Sequence, residues 1–153
     1  MIFIKYNTPS LKNSKIKTSR GIFSSKTVKK YLNKLGIQSY SSSKKIVKGY
    51  VNRDNGFENL RNQFQIAFQN KSFPVLICFH FVRDTKRNFD FGNATEIIFD
   101  LLTAHDIIPD DNITFTIPSV MSIKGILPTE ENMHCTQWYS VDKLNPGVWI
   151  KII

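Results

Sequence analysis

The alternation of apolar and polar residues predicts the elements of the first half of the chain. Residues 2–6 alternate with a period of two and predict a short strand. Residues 26–35 predict a helix, because serines that can cap it come before and Gly36, typical of a helix end, follows. Residues 57–69 have apolar side chains at three-and-four spacing and predict a second helix. Residues 37–56 are rich in Ser, Lys and Gly and predict a long loop.

The second half of the chain predicts a strand, a helix and a strand in succession. Residues 75–82 form a continuous run of β-branched and aromatic residues, which is typical of a buried strand. Asn93 and Glu96 have the spacing of a capping box, so we expect a helix from Asn93 to about residue 105. The other expected segments are a strand at 113–117, a loop-rich insertion at about 118–146 and a last strand at 148–153.

Size and composition predict one domain over residues 1–153. The sequence is 41% hydrophobic and 12% aromatic, which is enough for one core. We therefore expect an α/β (α+β) fold, with a small mixed sheet of about four strands and two to three helices packed on it. Cys78 and Cys135 lie in unlike surroundings and do not predict a disulfide framework. No signal peptide or membrane span is expected, so the predicted location is cytoplasmic, away from membranes.

The charge balance favours an anionic partner. Lys and Arg number 21 against 12 Asp and Glu, a formal net charge of +9. Nucleic acid is the partner that such an excess favours, although membrane surfaces also attract basic proteins and a solvated basic face needs no partner. The basic residues that we expect to contact DNA lie in a loop after the first strand and in the turn after the buried strand: Lys12, Lys15, Lys17, Arg20, Arg83, Lys86 and Arg87.

Carboxylates accompany the same turn and the helix and turn that follow it. They are Asp90, Glu96, Asp100, Asp110 and Asp111. Clustered carboxylates that hold Mg²⁺ supply the charge stabilisation and the activated water that phosphodiester hydrolysis needs. The same residues also have a purely structural interpretation, since Asp-Asp after Pro is common in turns and acidic residues early in a helix complement its dipole.

The order of these residues resembles the motif of the RusA family of Holliday-junction resolvases. In that family a basic run precedes Asp-x-Asp-Asn, and a helix with a lysine and an Asp-Ala-Leu segment leads to an Asp-Asp turn. This chain has, at the same spacings, Lys86-Arg87-Asn88-Phe89-Asp90-Phe91-Gly92-Asn93, then Phe99-Asp100-Leu101-Leu102, then Asp110-Asp111.

The resemblance implies a homodimeric, metal-dependent endonuclease that resolves branched DNA. Asp90 matches the first aspartate of the motif and Asp111 the last, so both are expected to be catalytic and, with Asp110, to hold Mg²⁺ or Mn²⁺. Asn93 and Asp100 match neighbouring motif positions. Two-fold symmetry would supply the two cuts that a four-way junction requires.

Two positions depart from the family pattern. Gly92 stands where the second aspartate is expected, and Glu96 stands in the position of the lysine. Positions four apart share a helix face, so Glu96 is a candidate to replace the missing carboxylate as a catalytic residue and metal ligand. Alternatively, Glu96 only caps the helix together with Asn93.

Three functions therefore remain open at the level of sequence. The first is a structure-selective, metal-dependent endonuclease acting on Holliday junctions or branched DNA. The second is a catalytically degenerate relative that binds such DNA without cutting it, with strongly salt-dependent affinity. The third is an unrelated basic protein in which the Asp-Asp turn has no catalytic role.

Overall fold

The computed structural model describes residues 1–10, 15–18, 21–24, 26–42, 45–52 and 56–153. For residues 15–18, 21–24, 38–42, 45–52 and 56 the description covers the backbone alone. Within these ranges the elements are β1 (Ile2–Lys5), β2 (Lys15–Thr18), β3 (Gly21–Ser24), α1 (Lys26–Lys34), β4 (Ile37–Ser42), β5 (Lys45–Asn52), α2 (Gly56–Phe68), β6 (Val75–Arg83), α3 (Phe91–Ala104), β7 (Thr116–Val120), β8 (Tyr139–Val141) and β9 (Gly147–Ile152).

A mixed five-stranded sheet is built around the apolar strand β6. Strands β1, β9, β6 and β7 follow one another across it, with β9 antiparallel to both β1 and β6. Strands β7 and β8 are parallel to β6 and lie end to end along the same edge, since β7 pairs with residues 75–79 and β8 with residues 81–83. With three helices in the described ranges, the predicted α+β fold with a small mixed sheet is confirmed.

One face of the sheet forms the core with the helices. Because side chains alternate along a strand, Phe79 and Phe81 of β6 share that face. The ring of Phe79 meets those of Phe91 and Phe99 of α3, with centroids 6.2 and 5.6 Å apart. Phe57 of α2 is fully buried in the same cluster, as the apolar spacing of this helix predicted.

Two segments predicted as loops contain paired strands. Residues 37–56 include β4 and β5, which pair antiparallel, and part of the basic segment after β1 belongs to β2, which pairs antiparallel with β3. The loop predictions were wrong for these residues because cross-strand pairing, rather than the weak β-propensity of Ser, Lys and Gly, determines whether a hairpin forms.

The strand predicted at 113–117 begins later, at Thr116, and continues to Val120. The residues before it form a turn in which the carbonyl of Asn112 accepts hydrogen bonds from the backbone N–H groups of Phe115 and Thr116. The segment predicted as a loop-rich insertion therefore contributes the end of β7 and all of β8 to the sheet.

Among the helices that the structure describes, none is long and apolar enough to cross a membrane.

Candidate nucleic-acid interface

The turn between β6 and α3 presents the basic residues that the sequence singled out. Lys86 and Arg87 are exposed in this turn. Asp90 ends the turn as the N-cap of α3, and its side chain accepts a hydrogen bond from the backbone N–H of Asn93 at 3.0 Å. The helix therefore begins at Phe91, and the predicted capping box of Asn93 with Glu96 was wrong. The carboxylate of Asp90 has the more favourable position, because it neutralises the positive end of the helix dipole.

Arg83 was expected to contact DNA, but it lies inside the protein. Its side chain is only 9% exposed, and its guanidinium donates a hydrogen bond to the carbonyl of Thr8 at 2.5 Å. The same guanidinium lies over the ring of Phe89, 4.7 Å from the centroid. Burial lowers the pKa of Arg83, and the nearby carboxylate of Asp84 opposes that shift. Arg83 therefore holds the ring of Phe89 in place, and its buried guanidinium is not available to bind a phosphate.

The acidic turn at Asp110 and Asp111 lies at the other end of α3. Thr116 pairs with Val75 at the start of β6, and the hydrogen bonds from Thr116 and Phe115 to Asn112 hold the acidic turn at that same end. Asp90 follows the opposite end of β6. Asp90 and Asp111 therefore lie beyond opposite ends of α3, whose 14 residues make it about 20 Å long.

The side chains of Asp110 and Asn112 form hydrogen bonds within the acidic turn. The carboxylate of Asp110 accepts hydrogen bonds from the backbone N–H of Asp111 at 2.9 Å and from the side-chain amide of Asn112 at 2.7 Å. The side-chain oxygen of Asn112 in turn accepts from the backbone N–H of Thr114 at 2.9 Å. These contacts are those of a stable turn, which was the structural interpretation left open by the sequence.

The carboxylates on α3 do not complete a site around Asp90. Glu96 is exposed and Asp100 is partly buried, one and two turns further along the helix from Gly92. Position 92 is the one that faces Asp90, because a Cβ added at Gly92 would lie 3.3 Å from Oδ1 of Asp90. Over the described part of the chain, no three His, Cys, Asp or Glu side chains lie close enough together to hold a metal ion. The predicted Mg²⁺ site therefore stays a prediction, with Asp90 as its carboxylate nearest the basic turn.

The remaining basic residues named from the sequence lie before α1. Lys12 and Arg20 lie outside the described residues. Lys15 and Lys17 belong to β2, which is described by its backbone alone. Lys86 and Arg87 are therefore the members of the predicted DNA-binding set with described, exposed side chains.

An aromatic pocket of about 270 Å³ adjoins the basic turn. It lies where β7 ends and β8 begins, beside the carboxyl end of β6, which is the end of parallel strands where α/β proteins commonly bind ligands. Phe81 is buried in it, and the other lining rings are half-buried. Its lining residues are Phe81, Asn88, Phe89, Phe91, Val120, Trp138 and Tyr139.

Contacts between aromatic rings fix the shape of this pocket. Phe81 meets Phe89 and Phe91 edge to face, with centroids 5.4 and 5.8 Å apart. Phe89 meets Tyr139 in the same way at 5.6 Å. The indole N–H of Trp138 donates to the carbonyl of Met133 at 3.1 Å. Sequence reasoning missed this pocket because Trp138 and Tyr139 fell in the segment assigned to an insertion. The run of aromatics beside Lys86 and Arg87 was the available signal.

A buried histidine on the opposite face of the sheet supports the strands that line the pocket. Nδ1 of His80 lies 3.0 Å from the carbonyl of Met121, and Nε2 lies 3.0 Å from the hydroxyl of Ser140. Since a carbonyl only accepts, Nδ1 carries the proton and Nε2 is free to accept from Ser140. Burial lowers the pKa of His80, which favours this neutral form. Met121 and Ser140 each follow a residue of the pocket, so His80 fixes both strands against β6.

No protein family, curated protein or solved structure matches the chain. The likeness to the RusA motif therefore rests on the residues quoted above.

Proposed function

We propose that this chain binds branched DNA and holds it through the phosphate backbone. The observation on which the proposal depends is that Lys86 and Arg87 are exposed on a turn beside an aromatic pocket, at the carboxyl ends of the parallel strands. The net charge of +9 supports a polyanionic partner over a small neutral one. Contacts to phosphates give orientation and affinity without sequence preference, which suits recognition of a DNA shape.

Binding without cleavage is the form of this function that the geometry supports best. Asp90 caps the start of α3, and the acidic turn follows the other end of this helix, which is about 20 Å long. Among the residues that the structure describes, a single chain therefore offers no group of three carboxylates that could hold a metal ion and activate a water molecule. No step of hydrolysis is assigned to Asp90, Glu96, Asp110 or Asp111.

Binding to a synthetic four-way junction, measured by fluorescence anisotropy over a range of salt concentrations, tests the proposal. We expect tight binding at low salt. The logarithm of the association constant should fall linearly with the logarithm of the salt concentration, with a slope of about 0.9 for each phosphate neutralised. A linear duplex of equal length is the control for preference. If neither DNA binds at low salt, the chain is a basic protein with another role.

Metal-dependent cleavage of the same DNA is the second candidate function. It is favoured by the exposed carboxylate of Asp90, which follows the basic turn at the spacing of the RusA motif and faces the open position at Gly92. A second copy of the chain, in keeping with the expected homodimer, could supply further carboxylates.

Incubation of the junction with the protein in Mg²⁺ or Mn²⁺ separates the two candidates. The binding function predicts intact DNA in both metals. Cleavage that Asp90→Asn abolishes while binding persists would establish the nuclease, and light scattering of the purified protein would show whether it is a dimer.

A further inference from the structure

We propose that the aromatic pocket takes one unpaired nucleobase of the bound DNA. The inference rests on the proposed DNA-binding function and adds the chemical group that the protein recognises. A base that is extruded from a duplex or left unpaired at a branch point exposes two flat apolar faces and a polar edge. The pocket offers complementary surfaces for each of these.

The walls of the pocket suit a flat aromatic group. Phe89, Phe91, Trp138 and Tyr139 are half-buried, so their rings close the sides while part of each surface stays accessible. Phe81 is 1% exposed and closes the bottom. Stacking of a base on an aromatic side chain tolerates any base, because every base has a π face.

The position of the rings is set before any ligand arrives. The guanidinium of Arg83 lies over one face of Phe89, and the ring of Tyr139 meets Phe89 edge to face. Trp138 is tied to the carbonyl of Met133 through its indole N–H. Rings held in this way lose little freedom when a ligand enters, which favours binding.

The mouth of the pocket has the polar and charged groups that a nucleotide needs. Asn88 is exposed on the lining, and its amide can donate to and accept from the edge of a base. Lys86 and Arg87 directly precede it in the chain. Since consecutive Cα atoms are about 3.8 Å apart, these cations lie within reach of the phosphates that flank a base held in the pocket. The positive charge at the mouth favours a base attached to a DNA backbone over a neutral aromatic compound.

Three DNA duplexes that differ at one position test the proposal. One has a single bulged adenine, the second has an abasic bulge at the same place, and the third is fully paired. We expect the protein to bind the adenine bulge about 10-fold more tightly than the abasic bulge, the difference that stacking of one base supplies. Because both bulges bend the duplex, their comparison isolates the base.

A pair of substitutions on one strand identifies the surface responsible. Val120→Phe fills the pocket, whereas Ile117→Phe adds the same ring on the other face of β7, where Ile117 is 39% exposed. We expect Val120→Phe to abolish the preference for the adenine bulge and to leave binding of the paired duplex unchanged. Ile117→Phe should retain the preference. Thermal unfolding of both variants confirms that each is folded. Asn88→Ala, at an exposed position, should independently weaken the preference for the adenine bulge.

Fluorescence of Trp138 gives a direct readout in the Trp149→Phe background, since the chain has only these two tryptophans. The adenine bulge should quench this emission and the abasic bulge should not. If both bulges bind equally and neither quenches, DNA binding stands and the pocket proposal is overturned. If no DNA binds, the proposed function itself fails. If free adenosine monophosphate quenches Trp138 with the same affinity as the adenine bulge, the proposal is also overturned, because the site would then bind a nucleotide without DNA.

Discussion

A polar turn flanks each end of α3, basic at the start and acidic after the end, and the two turns differ in structure. At its start, the turn with Lys86 and Arg87 leaves both cations exposed and borders the aromatic pocket. After its end, Asp110 and Asn112 satisfy one another and the backbone within a single turn. The basic turn therefore combines exposed charge with an adjoining pocket, whereas two of the acidic turn's side chains stabilise the turn itself.

The difference follows from the direction of the strands. Turns that follow the carboxyl ends of parallel strands surround a crevice, and here the gap between β7 and β8 opens that crevice beside β6. The acidic turn precedes β7 and only has to connect α3 to it. Four predictions, from the largest expected effect to the smallest, test the contrast between the two ends.

Removal of both exposed cations at the start of α3 should weaken DNA binding most. Lys86→Ala with Arg87→Ala loses two phosphate contacts, which amounts to about 100-fold in affinity near 0.1 M salt, and lowers the salt slope by about two. Anisotropy titrations with a four-way junction measure both quantities.

Lys71 provides the matched control at the other end. It is exposed two residues before Phe73, whose ring meets Phe115 beside the acidic turn at 5.5 Å. Lys71→Ala should change affinity far less than Lys86→Ala alone, which also removes one positive charge. Equal losses would mean that DNA contacts the whole surface without preference for the basic turn.

The two aspartates that the sequence paired should differ in their contributions to stability. Asp90→Ala removes the N-cap of α3 and should lower the free energy of unfolding by about 1 kcal/mol. Asp90→Ser should retain most of the stability that the cap contributes, because serine also caps helices. Asp111 is exposed, and Asp111→Ala should change stability by less than about 0.5 kcal/mol. Urea unfolding measures all three, and a larger loss for Asp111→Ala would refute the contrast.

Acid should destabilise the protein through two buried histidines, one near each end of α3. Burial lowers the pKa of His80 under the pocket and of His105 at the C-cap of α3 from the ordinary value of 6.5. The unfolded chain therefore binds protons at a higher pH than the folded one. Stability is full above about pH 6.5 and is lost as the pH falls through that value towards the folded pKa.

Urea unfolding between about pH 8 and pH 5 measures this loss. His80→Gln should make the free energy of unfolding less dependent on pH, because one of the two buried histidines is gone. This holds even if the variant is less stable overall. An unchanged slope in His80→Gln would show that His80 takes up no additional proton on unfolding.

The smallest change in stability is expected from Gly92→Asp, which adds a carboxylate beside Asp90. Repulsion between the two acids and attraction to the helix dipole each amount to a few tenths of a kcal/mol and oppose one another. Mn²⁺ should raise the melting temperature of Gly92→Asp and not that of the natural chain or of Gly92→Asp with Asp90→Ser. Equal stabilisation of the natural chain by Mn²⁺ would mean that Asp90 already binds metal.

Much of the fold could be predicted from local pattern. The three-and-four spacing of the second helix and the apolar run of β6 appear in the structure almost as predicted, because burial of an apolar face depends on the residues of that element itself. The hairpin of β4 and β5 could not be predicted in this way, since its stability comes from a partner strand and not from its composition.

The candidate site was predicted only in part. The basic turn was identified because charge is visible in the sequence, but the buried position of Arg83 and the distance from Asp90 to Asp111 depend on neighbours far along the chain. Thr8, which accepts from Arg83, is 75 residues away in sequence. Spacing in a motif gives order along the chain, whereas a metal centre needs convergence in space.

The sequence by itself determined the class of fold, the excess of positive charge and the position of an exposed basic turn, because these follow from local composition and periodicity. Only the tertiary structure decided that Trp138 and Tyr139 join Phe81 and Phe89 in one pocket, and that Asp90 caps a helix far from the acidic turn. The reason is that β6 is parallel to β7 and β8, which brings residues from three separate segments to one end of the sheet and directs the acidic turn to the other.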